Sequence, residues 1–307
     1  MPEPRSERKI HPNAWLQGRR LSGLIRDEVE QQTDFIEVHH FFGDKVVLER
    51  WGAGGARRRE LQAAASLVGF FWAERRCDGQ RRCREILYRI AAVQQDTSHN
   101  TMHRYQNNND IALYRVEYAE VTSRGTEDLR WGNVCSPDRG GFAGGMFVDG
   151  RWMQDGSWEP GGYTFSCVGG VISKCARVWG YKHWKTVTTD SGEQVALRRL
   201  HLACTRAVRA DYCGDGDSHT RDGVPIMVVD QHGLNQFADP EGLTLEAAFT
   251  SRGAVWMQRT RLVEPPTASA SGALDRVCPQ LPAIERAETG LDRDELLWVW
   301  SPSAESR

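Results

Sequence analysis

No two cysteines of this chain stand in a Cys-x-x-Cys arrangement, which removes the usual spacing of zinc ribbons and thioredoxin-like redox sites. No window approaches 18 consecutive apolar residues, so no membrane-spanning helix is expected. Charge of one sign is scarce too. The formal net charge is -2, too small for a global field that would draw the protein to nucleic acid or to anionic lipid. The opening stretch, MPEPRSERKIHPNAW, lacks the apolar run of a secretory signal. No internal repeat of fixed period is found.

What is present is a chain of 307 residues, 40% hydrophobic and 26% charged, enough for a sizeable core in one large or two modest domains. Two basic runs, Arg57 to Arg59 and Arg81, Arg82 and Arg84, sit among acidic residues without interleaved aromatics. They read as solvated loops rather than phosphate-binding patches. Cysteine is the informative residue. There are eight, an even number: Cys77, Cys83, Cys135, Cys167, Cys175, Cys204, Cys213 and Cys278. An even set with irregular spacing points to disulfides and an oxidising, extracytoplasmic compartment. The missing signal then means either that the chain is a mature or trimmed form or that the compartment is not an oxidising one. Cys77 and Cys83 flank Asp78–Gly79 between two strand-like runs, a spacing that can set their sulfurs opposite each other across a hairpin.

Along the chain, residues 1–20 read as a polar tail and 21–130 as a β-rich region with hairpins around Gly43–Asp44 and Asp78–Gly79. The segment RRRELQAAASLVGF has helical propensity as an alternative. An Asn-rich loop follows near 94–110. Residues 131–262 form a second region whose first part is dense in Gly and Trp; its tryptophans read as core rather than as a sugar platform, because their spacing is irregular. Within it, YTFSCVGGVISKCARVWGY reads as a strand, a Gly-Gly turn and a second strand. The prominent helix is expected over about 197–213, with Leu197, Leu200, His201, Cys204, Val208 and Asp211 on one face, Arg206 and Arg209 directed elsewhere, and Gly214 as its stop. Residues 263–307 give a linker, a short strand at LLWVW and a tail. The expected class is α+β, antiparallel and β-rich.

The stretch RADYCGDGDSHTRDG, 209–223, concentrates candidate chemistry. Three readings compete. In the first, Cys204 and Cys213 are each bonded to another of Cys135, Cys167, Cys175 or Cys278, and His201 is a core histidine. A direct Cys204–Cys213 bond is excluded by a helix rise of over ~12 Å. In the second, Cys213 is a nucleophile with His201 or His219 as base and Asp211 as orienter, although the carboxyl end of a helix disfavours a thiolate. In the third, a metal binds: zinc through His201, Cys204, Cys213 and His219, or calcium through Asp215, Asp217 and Asp222. The latter departs from an EF-hand, with His219 in the alternating series and Ile226 where a closing Glu belongs.

ADYCGDG at 210–216, the preceding LHLACTRAVR, the following SHTRDG, and the upstream FSCVGGVISKC and WGYKHW resemble the ADYC domain family of bacteria, mainly myxobacteria, over about 131–260. The resemblance implies an extracytoplasmic bacterial protein and no particular activity. The expectation is an exported, disulfide-stabilised protein with a binding or envelope-associated role, without an obligate cofactor, and with a cell-envelope component or a protein as partner. The alternative is a Cys/His hydrolase or transpeptidase acting on peptide or cell-wall material.

Overall fold

Alternating apolar side chains build most of the molecule into antiparallel strands. A computed structural model of the chain describes residues 14–26, 33–51, 57–77, 83–98, 108–121, 129–137, 141–153, 155–235, 242–261, 278 and 296–302. The Asp78–Gly79 turn, Arg81 and Arg82, most of the Asn-rich segment, the linker after residue 262 and the C-terminal tail lie outside the described residues, as does most of the N-terminal tail.

The first half supplies β1 (Ala14–Gly18), β2 (Leu21–Arg26), β3 (Thr33–Phe42), β4 (Lys45–Trp51), β5 (Arg57–Ala63), β6 (Phe70–Cys77), β7 (Cys83–Gln95) and β8 (Ala112–Glu120). There follow β9 (Gly132–Asn133), β10 (Gly145–Trp152), β11 (Trp158–Cys167), helix α1 (Val171–Arg177), the small hairpin of β12 (Thr186–Thr188) and β13 (Gln194–Ala196), and helix α2 (Leu197–Arg209). A second sheet uses β14 (Met227–Asp230), β15 (Leu243–Thr250), β16 (Gly253–Met257) and β17 (Leu297–Pro302). The architecture is α+β and mostly β.

The large sheet runs in the order β1-β11-β10-β8-β7-β6-β2-β3-β4-β5, with β9 alongside β8. Only Arg19 and Arg20 separate β1 from β2, so the path from β1 through β11 to β6 returns to the stretch of chain on which it began. The sheet thus curls around one interior, filled by residues such as Ile36, Leu48, Phe70, Tyr114, Phe147 and Phe165. The Phe41 and Phe147 rings stack at 4.7 Å across it. β10 and the first residues of β8 are buried on both faces. Their outer side chains Leu113, Met146, Val148 and Trp152, with Ile111 just before β8, pack against Ile172 and Ala176 of α1. The second sheet, in the order β14-β17-β15-β16, covers α2 in a further core containing Leu200, Cys204, Tyr212, Phe249 and Val299. The boundary expected at residue 131 therefore falls inside one hydrogen-bonded sheet, since β10 pairs with β8 of the 21–130 region and β11 with β1, a strand within the stretch that reads as a polar tail.

Several sequence expectations change here. The second half of YTFSCVGGVISKCARVWGY is α1, not a strand: Val171, Ile172, Cys175 and Ala176 recur at helical spacing and all four are buried. RRRELQAAASLVGF is strand β5 followed by a short 3-10 turn at Ala64–Leu67. Arg57 to Arg59 lie on that strand rather than in a loop. β5 is an edge of the sheet, and its charges suit a position where unpaired backbone groups would otherwise recruit another chain. Helix α2 stops at Arg209, because Ala210 turns left-handed with φ 53°.

All eight cysteines are described, and they form four disulfides: Cys77–Cys83, Cys135–Cys167, Cys175–Cys204 and Cys213–Cys278. The third joins the two helices. The fourth joins the loop after α2 to the segment that precedes β17.

Candidate functional site

The segment after α2 is a cluster of buried polar groups, built from the helix end outward. Ala210 costs about 1–2 kcal/mol in the left-handed region, and what holds it there is the residue that follows. The carboxylate of Asp211 is fully buried. It accepts from Nη1 of Arg206 and from the Gly216 backbone N–H at 3.1 Å. Burial raises the pKa of this carboxyl above the ordinary value, against the opposing pull of Arg206 and Arg209. Arg206 also donates to the carbonyls of Asp155 at 2.6 Å and Ser251 at 3.2 Å, and Arg209 donates to the carbonyl of Gly216. Both arginines are therefore buried members of the cluster and not outward-facing, because each finds acceptors around the loop.

Tyr212 makes the second tie. Burial drives its pKa upward, so the hydroxyl stays protonated and donates to Oε1 of Glu246 at 2.9 Å. That oxygen of Tyr212 also accepts from the Arg261 backbone N–H at 2.7 Å. The Arg261 guanidinium grips both oxygens of Glu246, at 2.9 and 3.0 Å, and caps the last turn of α2 through the carbonyls of Ala207 and Val208. Cys213 is bonded to Cys278. Gly214 follows with φ +71°, and a Cβ there would lie 1.8 Å from the backbone oxygen of Arg252, so only glycine fits.

The residues singled out as candidates for chemistry thus part company. Asp211, Cys213 and His219 share the loop, with the His219 ring 5.6 Å from that of Tyr212. His201 is elsewhere, eight residues or about 12 Å of helix rise before the helix end. It is enclosed by Trp152 and His183, whose ring centroids lie 5.4 and 5.5 Å away. With Cys213 and Cys204 both in disulfides, neither sulfur is a thiolate here for nucleophilic attack or for zinc. Asp215, Asp217 and Asp222 are not gathered around one point, and Asp215 accepts from the Asp217 backbone N–H at 2.9 Å, a local turn. Among the described residues no group of three or more His, Cys, Asp or Glu side chains is placed to hold a metal ion.

His201 carries a pH dependence. Burial lowers its pKa from 6.5 to about 4, against the hydrogen bond from Nδ1 to the Tyr181 carbonyl at 2.6 Å. The unfolded chain takes up this proton below about pH 6.5, the folded chain only below about 4. Stability should fall as pH drops through that window, by up to roughly 3 kcal/mol from this group. His183, also depressed by burial, acts in the same direction. Urea unfolding at pH 7 and pH 4.5 measures the loss, and a His201→Gln variant should show a flatter profile between those values.

Sequence reasoning missed Glu246, Arg261 and His183. Arg261 and Glu246 lie 49 and 34 residues beyond Tyr212, and no local spacing links them to it. No curated protein and no solved structure matches the chain. The family model for the ADYC domain matches residues 64–263, a span that starts well before residue 131, where the motif resemblance begins. With about two thirds of its length matched, including every residue of the buried cluster except Cys278, the chain belongs to the ADYC domain family.

Proposed function

We propose that this chain is an exported binding protein of the bacterial cell envelope, stiffened by its disulfides, and that the ADYC segment holds the fold together while the outer face of the large sheet does the binding. Four disulfides fit an oxidising compartment. Among the described residues no helix is long and apolar enough to cross a membrane. The alternative, a Cys/His hydrolase or transpeptidase, needs a reduced Cys213 with a base beside it. It has less in its favour.

The observation that carries the reading is a row of exposed apolar residues in strict register. Trp51 on β4 stands opposite Phe35 on β3, Phe35 opposite Leu24 on β2, and Leu24 opposite Phe71 on β6. These four are 37–48% exposed, and apolar side chains aligned on an open face mark a contact surface. An arginine stacks on a tryptophan at each end, Arg57 over Trp51 at 4.3 Å and Arg89 over Trp131 at 4.2 Å. Beside this rung runs a charged one, in which Arg59 pairs with Glu49 and Arg20 with Glu37. Strands about 4.8 Å apart set apolar side chains at nearly the length of one sugar ring. An extended glycan is the occupant that fits best: its C–H faces suit the aromatic rung and its hydroxyls the charged rung.

Retention of the purified protein on insoluble peptidoglycan sacculi and on a neutral β-glucan tests this. Trp51→Ala and Phe71→Ala should each weaken retention about tenfold, with thermal stability unchanged. No retention on either polymer, or retention indifferent to both substitutions, would overturn it.

A further inference from the structure

Where the curled sheet meets the helices, three rings lie together. Trp152 comes from β10, His183 from the segment between α1 and β12, and His201 from α2. Their centroids are 5.4 to 6.0 Å apart, and all three residues are at least 97% buried. Each carries one nitrogen without a hydrogen-bond partner in the protein: Nε1 of Trp152, Nδ1 of His183 and Nε2 of His201. Buried polar atoms are rarely left so, and three in one place call for a common partner.

The remaining hydrogen bonds fix what that partner must be. His201 Nδ1 faces the Tyr181 carbonyl, which can only accept, so Nδ1 carries the proton and Nε2 is a bare acceptor. His183 Nε2 faces the Asp149 backbone N–H, which can only donate, so Nε2 is bare and Nδ1 carries the proton. Trp152 Nε1 is a donor by constitution. The three open groups are thus two donors and one acceptor. Both imidazoles are neutral near pH 7, since burial lowers each pKa. A bridging metal ion does not fit, because the His183 nitrogen facing the gap holds its proton and has no lone pair to give.

We propose that this closed site binds a single water molecule, which accepts from Trp152 and His183 and donates to His201. The three ring centroids lie within 6.0 Å of one another, and the proposal places one oxygen about 2.7–3.2 Å from each open nitrogen. Such a water joins the sheet, the connecting segment and α2 at one point, and buried waters with three bonds are a standard structural element. The inference is independent of the glycan reading, since it concerns another part of the molecule and a different observation.

Imidazole nitrogen NMR at pH 7 and a crystal structure at high resolution test it on the unmodified protein. Both rings should carry their proton on Nδ1, the Trp152 indole N–H should show exchange with a long-lived water, and one oxygen should lie within about 3.2 Å of all three nitrogens. In a His201→Phe variant that exchange signal should disappear. A proton on Nε2 of either ring, a direct hydrogen bond between the two imidazoles, or density for an ion in place of water would overturn the proposal. Should the variant fail to fold, the tautomers and the crystallographic oxygen of the unmodified protein decide the matter alone.

Discussion

Replacing Cys213 and Cys278 together with serine is expected to destabilise the protein by about 4 kcal/mol, the loop-closure value for the 65-residue separation this bond spans. Several features make this bond consequential. The described residues on either side of it belong to different elements: α2 ends four residues before Cys213, and β17, a central strand of the second sheet, begins nineteen residues after Cys278. Without the bond, the chain from 213 to 278, which carries β14, β15 and β16, is free to explore far more conformations when unfolded, and the folded state loses a covalent tie between the helix end and the segment ahead of β17. The short Cys77–Cys83 link, with a separation of six, offers an internal control. Its removal should cost only about 2 kcal/mol by the same reasoning. Urea unfolding of both double variants under oxidising conditions measures the contrast, and equal losses would show that loop length is not what sets the contribution.

Substitution of Glu246 by alanine should be as damaging, about 3–5 kcal/mol, because it leaves the Arg261 guanidinium charged and buried without its counter-ion. Both side chains are at most 1% exposed. The loss has two parts. Tyr212 gives up the acceptor for its hydroxyl, and Arg261 gives up both carboxylate oxygens while its bonds to the carbonyls of Ala207 and Val208 remain. The double variant Glu246→Ala with Arg261→Met should recover part of this, since an apolar side chain needs no partner, and the non-additivity in such a cycle reports the coupling directly. Strict additivity would mean that the ion pair does not fasten Tyr212 and the helix end as a unit.

How far the sequence foretells this depends on the range of each interaction. The Cys77–Cys83 pairing is legible because a turn of few residues forces the two strands together, and the registry of β6 with β7 places them opposite each other. The Gly43–Asp44 hairpin is legible for the same reason. Helix α2 is visible in its periodicity, but its stop is not: Gly214 looks like the natural cap, whereas Ala210 takes the left-handed turn because Asp211 and Tyr212 are held by groups beyond the helix end. Helix α1 is hidden by Val171 and Ile172, β-branched residues next to Gly169–Gly170, which mimic a strand after a turn. The buried cluster is half legible. The ADYC residues stand out as a run, but Arg206 looks like an exposed helical arginine until Asp211, Asp155 and Ser251 are seen around it. The exposed row from Trp51 to Phe71 is invisible in the sequence, because its members come from four strands and only the register aligns them.

In the ADYC segment Asp211 holds Arg206 and the Gly216 N–H, Tyr212 holds Glu246, and Cys213 is bonded to Cys278. Peptide mapping by mass spectrometry of unreduced protein, alkylated after denaturation, tests this most directly. The account requires a linked fragment joining Cys213 to Cys278, a second joining Cys175 to Cys204, and no alkylated cysteine. Recovery of Cys213 as a free, alkylated thiol from properly folded protein would contradict it.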